Sequence, residues 1–157
     1  FLLSIANQEH EYPATVVFFD PDVDIAVLKV PGTGVHPLAL ATSNPDGGTK
    51  GAVIGYPGGG DESTVEAAVR GVETAEGRDI YGSGLVRRDI EVLQADVIPG
   101  NSGGPIVDLD GKVVGVVFAA STTIQDEGYA LAPSTYLGDL QGAEQNTAPV
   151  STGDCAN

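Results

Sequence analysis

An all-β architecture built from barrels is predicted by three observations. Short stretches rich in Val, Ile, Leu and aromatic residues recur at even spacing along the 157 residues. Twenty-two glycines and ten prolines punctuate them, enough for a tight turn after nearly every stretch. Helical spacing occurs once, near the C-terminal end. Many short strands followed by a single helix fit a barrel protein better than an alternating α/β chain.

The elements follow in order. Residues 2–6 and 12–19 ("YPATVVFF") read as strands joined by the polar turn "NQEH". "FDPDVD" is a turn, and "IAVLKV" at 25–30 is a strand closed by Pro31 and Gly32. "ATSNPDGGTKG" reads as a loop linking two halves. "AVIGYP" at 52–57 is a strand that ends in the glycine turn "GGG". Further strands are expected near 64–74, 85–96, 105–109, 112–119 and 128–133. Asp110-Gly111 suits a tight hairpin between the 105–109 and 112–119 strands. In "STYLGDLQG", Ser134 is the expected N-cap, and Tyr136, Leu137 and Leu140 form an apolar face. The tail from residue 144 is polar and expected to be loose.

The chain is 41% hydrophobic, enough for a sizeable core, and carries 22 acidic against 7 basic residues, a formal net charge of −15. Nucleic acid and anionic lipid require a basic footprint, so neither is an expected partner. The acidity fits an exported protein and equally fits plain solubility. No apolar run approaches the length of a membrane span, and "FLLSIANQEH" lacks the basic flank of a signal peptide. The chain does not start with methionine, which suggests a processed or truncated piece. The one cysteine, Cys155, cannot form an internal disulfide; it is either a free thiol on the tail or the partner of a cysteine elsewhere.

"PGNSGGP", residues 99–105, has the character of a nucleophilic serine loop. Its Gly-Asn-Ser-Gly-Gly formally matches a nucleophile elbow, but an elbow needs a helix directly after the serine, and "PIVDLDGKVVGVV" reads as strands. In a tight loop before a strand, Gly100 lets its own N–H and that of Ser102 point at one spot, where a tetrahedral oxyanion would sit. "VDIAVLKV" places Asp24 at the head of an apolar strand. It is either a carboxylate that orients an imidazole or a turn-capping aspartate. Asp20, Asp22 and Asp24 alternate like the start of a calcium loop, but the required Gly and Glu positions are Ile25 and Pro31. "GYPGGG" lacks the Gly-Lys-Ser/Thr ending of a phosphate loop. No Cys/His cluster suggests zinc. No metal or cofactor is expected.

The stretches "DPDVDIAVLKV", "AVIGYPGGG", "LQADVIPGNSGGPIVDLDGKVVGVVFAAS" and "GYALAP" together resemble the trypsin-like serine proteases, in the bacterial branch that includes the HtrA enzymes and periplasmic actinobacterial proteases linked to acid resistance. The resemblance spans nearly the whole chain. It implies the chymotrypsin fold, with two six-stranded-type barrels: residues 1–45 as the remaining part of the N-terminal barrel, 46–143 as the C-terminal barrel with the helix, and 144–157 as a tail. It implies Ser102 as nucleophile, Asp24 as triad acid and Gly100 with Ser102 as oxyanion donors. Phe118, Ala119 and Ala120 would edge the primary specificity (S1) pocket and pair with the substrate backbone. Asn101, where digestive enzymes carry Asp, implies no activation by a new N-terminal salt bridge. Asp96, six residues before Ser102, falls at the offset of the S1 base and would favour Arg or Lys; a structural Asp bonded to backbone is the other reading.

The family's histidine lies in an Ala-His motif upstream of the Asp, and none exists here. His10 is separated from Asp24 by a strand of roughly 26 Å, and His36 by one of roughly 20 Å, at about 3.3 Å per residue. Neither is a credible base. The expectation is therefore a serine endopeptidase whose first strands and histidine lie upstream, inactive and poorly stable as this chain alone. The expected partners are a peptide or protein substrate and that upstream segment, to which Cys155 would be disulfide-bonded. The location would be periplasmic or extracellular, and an upstream membrane tether is compatible with it. A non-catalytic peptide-binding module on the same scaffold is the alternative.

Overall fold

The computed structural model describes residues 2–4 and 11–153. Eleven strands and one α-helix follow one another: β1 (Leu2–Ser4), β2 (Glu11–Pro13), β3 (Thr15–Asp20), β4 (Ile25–Lys29), β5 (Ala39–Leu40), β6 (Lys50–Gly55), β7 (Ser63–Arg78), β8 (Leu85–Gln94), β9 (Pro105–Asp108), β10 (Lys112–Ala120), β11 (Glu127–Leu131) and α1 (Pro133–Ala143). The expected strands are all present, with shifted ends. The 12–19 stretch is broken at Ala14, and β7 runs to Arg78. β5 was not expected: its two residues borrow their ladder from β10, pairing in parallel with Lys112 and Val113.

By compactness the chain divides into two units. One comprises residues 1–36, 76–87 and 136–157, the other 37–75 and 88–135. In the second unit, strands pair in the order β11-β8-β7-β6-β9-β10, and β10 pairs back onto β11, so six strands close a ring with β5 added beside β10. Closure removes the exposed edges that an open sheet would carry. Alternate residues point inward, and Val53, Val69, Leu93, Ile106, Val117 and Ala130 form a core exposed by no more than 1% each. Gly51 and Gly104 permit close strand approach, since a methyl on either would overlap a carbonyl oxygen, of Val107 and Ile54 respectively.

In the first unit, β1 pairs with β2 and β3 with β4, both antiparallel. A bulge at Val17 interrupts the β3–β4 ladder. The carbonyls beside it are taken by the tail: Val150 N–H donates to Val16 O (2.9 Å) and Asn146 Nδ2 to Val17 O (3.3 Å). The tail through Gly153 is therefore tied down rather than loose. Cys155 and His10 lie outside the described residues.

Two local expectations are corrected. The β9–β10 hairpin uses three residues, Leu109 to Gly111, not two. The Asp108 carboxylate accepts the N–H groups of Asp110 (3.0 Å) and Lys112 (2.8 Å), and Gly111 takes a φ of 79°. Ser134 is not the N-cap of α1, because Pro133 already occupies the first helical position. The Ser134 N–H is instead satisfied by Asn44 Oδ1 at 2.8 Å, and the Ser134 hydroxyl donates to Asp89. On the helix, Tyr136 and Ala143 are buried and Leu137 and Leu140 half-buried. No described helix is long and apolar enough to cross a membrane.

Candidate active site

The serine loop is held from two sides within the closed barrel. On one side, Gly103 N–H donates to Val117 O (2.7 Å) and Val117 N–H to Gly104 O (2.9 Å), which fastens the loop's exit to β10. On the other, the turn after β6 clasps its entrance: Tyr56 N–H reaches Gly100 O at 3.3 Å and Gly58 N–H reaches Pro99 O at 3.0 Å. Gly100 has a φ of 105°, and a methyl there would lie 2.5 Å from Tyr56 O and 2.6 Å from Gly58 N. Only glycine fits both the backbone conformation and the contact. "GYPGGG" is thus the clasp of the serine loop, a role its own sequence does not signal.

Asn101 anchors the middle. It is fully buried; its Oδ1 accepts the Ile98 N–H at 3.0 Å and its backbone N–H donates to Ile98 O at 3.0 Å. With the Asn101 side chain turned inward, Ser102 is left exposed at the surface. Among the described residues, the N–H groups of Gly100 and Ser102 donate to no backbone carbonyl. Two such uncommitted donors flanking a serine hydroxyl are what an oxyanion site requires.

The Ser102 hydroxyl donates to Phe118 O at 3.3 Å. That carbonyl is available because β10 bulges here: Val117 opposes Ala130 and Ala119 opposes Tyr129, so Phe118 has no partner on β11. Ala119 and Ala120 pair with Tyr129 and Gly128 of β11. Past Val116, no described strand pairs with the opposite edge of β10.

Asp96 is placed on the outer side. Residues 93 to 98 alternate buried and exposed beyond the end of β8, so Val97 turns in and Asp96 turns out. Asp96 lines a groove of about 690 Å³ with Lys50, Gln94, Leu109 and Asp126, and neither Ser102 nor Phe118 borders it. The inward residue, Val97, packs on Gly128: a methyl on Gly128 would lie 3.0 Å from Val97 Cβ. Among the described residues, the Asp96 carboxylate makes no hydrogen bond to backbone.

Asp24 belongs to the first unit. It sits at the end of the turn between β3 and β4, exposed rather than buried, with a φ of 68°. Its N–H donates to Asp20 O at 2.9 Å. The Asp20 carboxylate accepts the N–H groups of Asp22 (2.8 Å) and Val23 (3.2 Å), so the alternating aspartates organise the turn itself. Among the described residues, no group of three His, Cys, Asp or Glu could hold a metal. His36 is exposed in the loop between β4 and β5.

A Trypsin-like peptidase domain model matches residues 1–116. The serine protease Rv3671c of Mycobacterium tuberculosis (strain H37Rv) is 42% identical over 149 residues, covering 93% of this chain and 37% of that protein. A probable periplasmic serine endoprotease, DegP-like, of Halomonas elongata is 32% identical over 97% of this chain and 31% of its own length. This chain thus spans about a third of these curated relatives. The crystal structure of the Rv3671c protease in its active form superposes with a TM-score of 0.92 at 38% identity, covering 99% of this chain and 68% of that one. The HtrA-type protease AlgW with a decapeptide gives 0.74 at 26% identity, covering 90% and 43%. A buried Asn beside an exposed Ser, a left-handed Gly with two uncommitted N–H donors, and these relatives agree: the chain belongs to the trypsin-like peptidase family of serine proteases.

Proposed function

We propose that the protein to which this chain belongs is an exported serine endopeptidase with Ser102 as its nucleophile. The supporting observation is the serine loop: a hydroxyl at the surface, with the backbone N–H groups of Gly100 and Ser102 donating to no backbone carbonyl among the described residues. In this reading an upstream histidine takes the Ser102 proton as the hydroxyl attacks the scissile carbonyl. Asp24 orients that histidine and stabilises its charged form. The N–H groups of Gly100 and Ser102 receive the oxyanion, and the protonated histidine then hands its proton to the leaving amine. The open edge of β10 at Ala119 and Ala120 would take the substrate as an added strand. With Val97 inward and Asp96 outward, the residue before the scissile bond should be small and apolar, with no preference for Arg or Lys. A peptide-library profile checks this; a basic preference would return the role to Asp96.

The central test is Ser102→Ala in the full-length protein. Cleavage should fall by about 10⁵–10⁶ in kcat with the fold intact, and unchanged turnover would overturn the assignment. A wild-type protein that binds peptide tightly and never cleaves it would point to a non-catalytic binding module. Cys155 would be tied to a cysteine upstream, closing a loop of over a hundred residues; chain entropy puts the gain at about 5 kcal/mol. Reductant should then lower the melting temperature, and a free Cys155 on non-reducing mass mapping would refute the bridge. Export is supported by the periplasmic DegP-like relatives.

A further inference from the structure

Between β7 and β8, residues 79–84 form a loop built around one carboxylate. Asp79 accepts four hydrogen bonds: from Tyr81 N–H (3.0 Å), Ser83 N–H (2.9 Å), Ser83 Oγ (2.8 Å) and Gly84 N–H (2.8 Å). Its own backbone closes the loop, with Asp79 N–H on Gly84 O (3.1 Å) and Gly82 N–H on Asp79 O (3.0 Å). Gly82 takes a φ of 71°, and Arg78 Nη1 holds its carbonyl at 2.9 Å. Four donors converging on a half-buried carboxylate favour its charged form and hold its pKa below the usual carboxylate value.

This loop spends its remaining donors on the first unit, to which it belongs. Ile80 N–H reaches Pro21 O at 3.2 Å, and the Tyr81 hydroxyl reaches Thr152 O at 3.0 Å. Pro21 lies in the five-residue turn that Asp24 N–H closes onto Asp20 O. Asp24 holds a left-handed conformation, which Asp adopts more readily than most residues but still at some cost, so its turn gains from support beyond itself. The Asp20 carboxylate supplies that support from within, and the 79–84 loop supplies it from outside.

We propose that Asp79 is a positioning residue for the proteolytic reaction, fixing through Ile80 and Pro21 the turn that aims Asp24. The proposal rests on Asp24 being the triad acid. The mechanism is indirect: without the Asp79 carboxylate the loop loses its shape, the Ile80–Pro21 bond lengthens, and the Asp24 carboxylate drifts from the histidine it should orient. A histidinium less well stabilised by Asp24 loses its proton at lower pH, so the acidic limb of the rate profile moves down.

The test uses the full-length protein. Asp79→Ala is compared with wild type after active sites are counted with a serine-directed fluorophosphonate. The expected result is a fall of about 10- to 100-fold in kcat per titrated site, with KM little changed, and an acidic limb of kcat/KM displaced to lower pH. A merely structural role would reduce the number of titrated sites and leave both the turnover per site and the limb unmoved; that result overturns the proposal. If Asp79→Ala does not fold, Ser83→Ala, which removes one donor of the four, must show a smaller shift in the same direction, and wild-type behaviour there overturns the proposal equally. Asp24→Asn is measured in parallel. Full turnover in that variant sinks the triad reading itself, whereas its loss beside a wild-type Asp79→Ala sinks only the positioning role.

Discussion

Glu91 is the residue with the most to lose from its surroundings. It points into the closed barrel from β8, fully buried, and neither carboxylate oxygen has a hydrogen-bond partner among the described residues. It occupies the space over Gly115, where a methyl would lie 2.7 Å from Oε2. Burial pushes its pKa up from 4.5 to about 8. Between those values the folded barrel keeps a proton that the unfolded chain has released, so stability falls as pH rises, by at most about 1.4 kcal/mol per pH unit. Below 4.5 both states are protonated and the penalty vanishes. Asp79 and Asp89 act in the opposite sense and over another window: their depressed pKa values stabilise the fold above 3.8, a gain lost on further acidification. Thermal melts should therefore show a maximum in mild acid, and Glu91→Gln should flatten the decline between about pH 5 and 8. An unchanged slope in that variant would remove Glu91 as its cause. The tight loop that exposes Ser102 was legible from sequence because the glycines that shape it are its immediate neighbours. Glu91 was not, since one acidic letter among β-branched residues does not reveal which face of a strand it occupies.

At the level of elements, the carboxyl end of β6 presses on the serine loop. A methyl on Gly55 would lie 2.5 Å from Asn101 Nδ2 and 3.0 Å from Asn101 Cα. Gly55→Ala should displace the buried Asn101 and misaim the hydroxyl next to it, lowering kcat by about 10- to 100-fold, while circular dichroism still reports a folded barrel. The start of α1 depends on a residue 90 positions away: Asn44 accepts the Ser134 N–H and donates to its hydroxyl at 3.0 Å. Asn44→Ala should cost roughly 1 kcal/mol of stability in chemical denaturation, the usual value of a lost helix-end partner. Strand existence could be read from apolar runs and turn residues. Asn44 as a helix-end partner, β5 as a strand, and the glycine turn as the serine's clasp could not, because each is defined by a contact distant in sequence. The Asp96 expectation rested on spacing alone. An offset counted along the chain ignores that alternation continues past the end of β8 and turns that side chain outward.

For the whole molecule, charge is the first-order quantity. With a net charge of −15, self-repulsion opposes compaction, and screening should relieve it. Raising sodium chloride from about 0.05 to 0.5 M, which shortens the Debye length severalfold, should raise the melting temperature; a fall would mean that attractive pairs dominate. Attractive pairs among the described residues include Arg70 with Glu127 at 3.1 Å and Arg87 with Glu76 at 3.5 Å.

The chain passes from one compact unit to the other four times, after residues 36, 75, 87 and 135. Neither unit is a contiguous stretch, so neither can be cut free by a single backbone break. A nick in the exposed 31–38 loop, where Val35 and Leu38 are 57% and 52% exposed, would leave residues 1–36 still bonded through Val16 to Val150 and through Pro21 to Ile80. Limited proteolysis there should yield two bands on a denaturing gel and one species on a native column. A break in that loop would therefore leave a two-chain molecule held together by hydrogen bonds within its first unit.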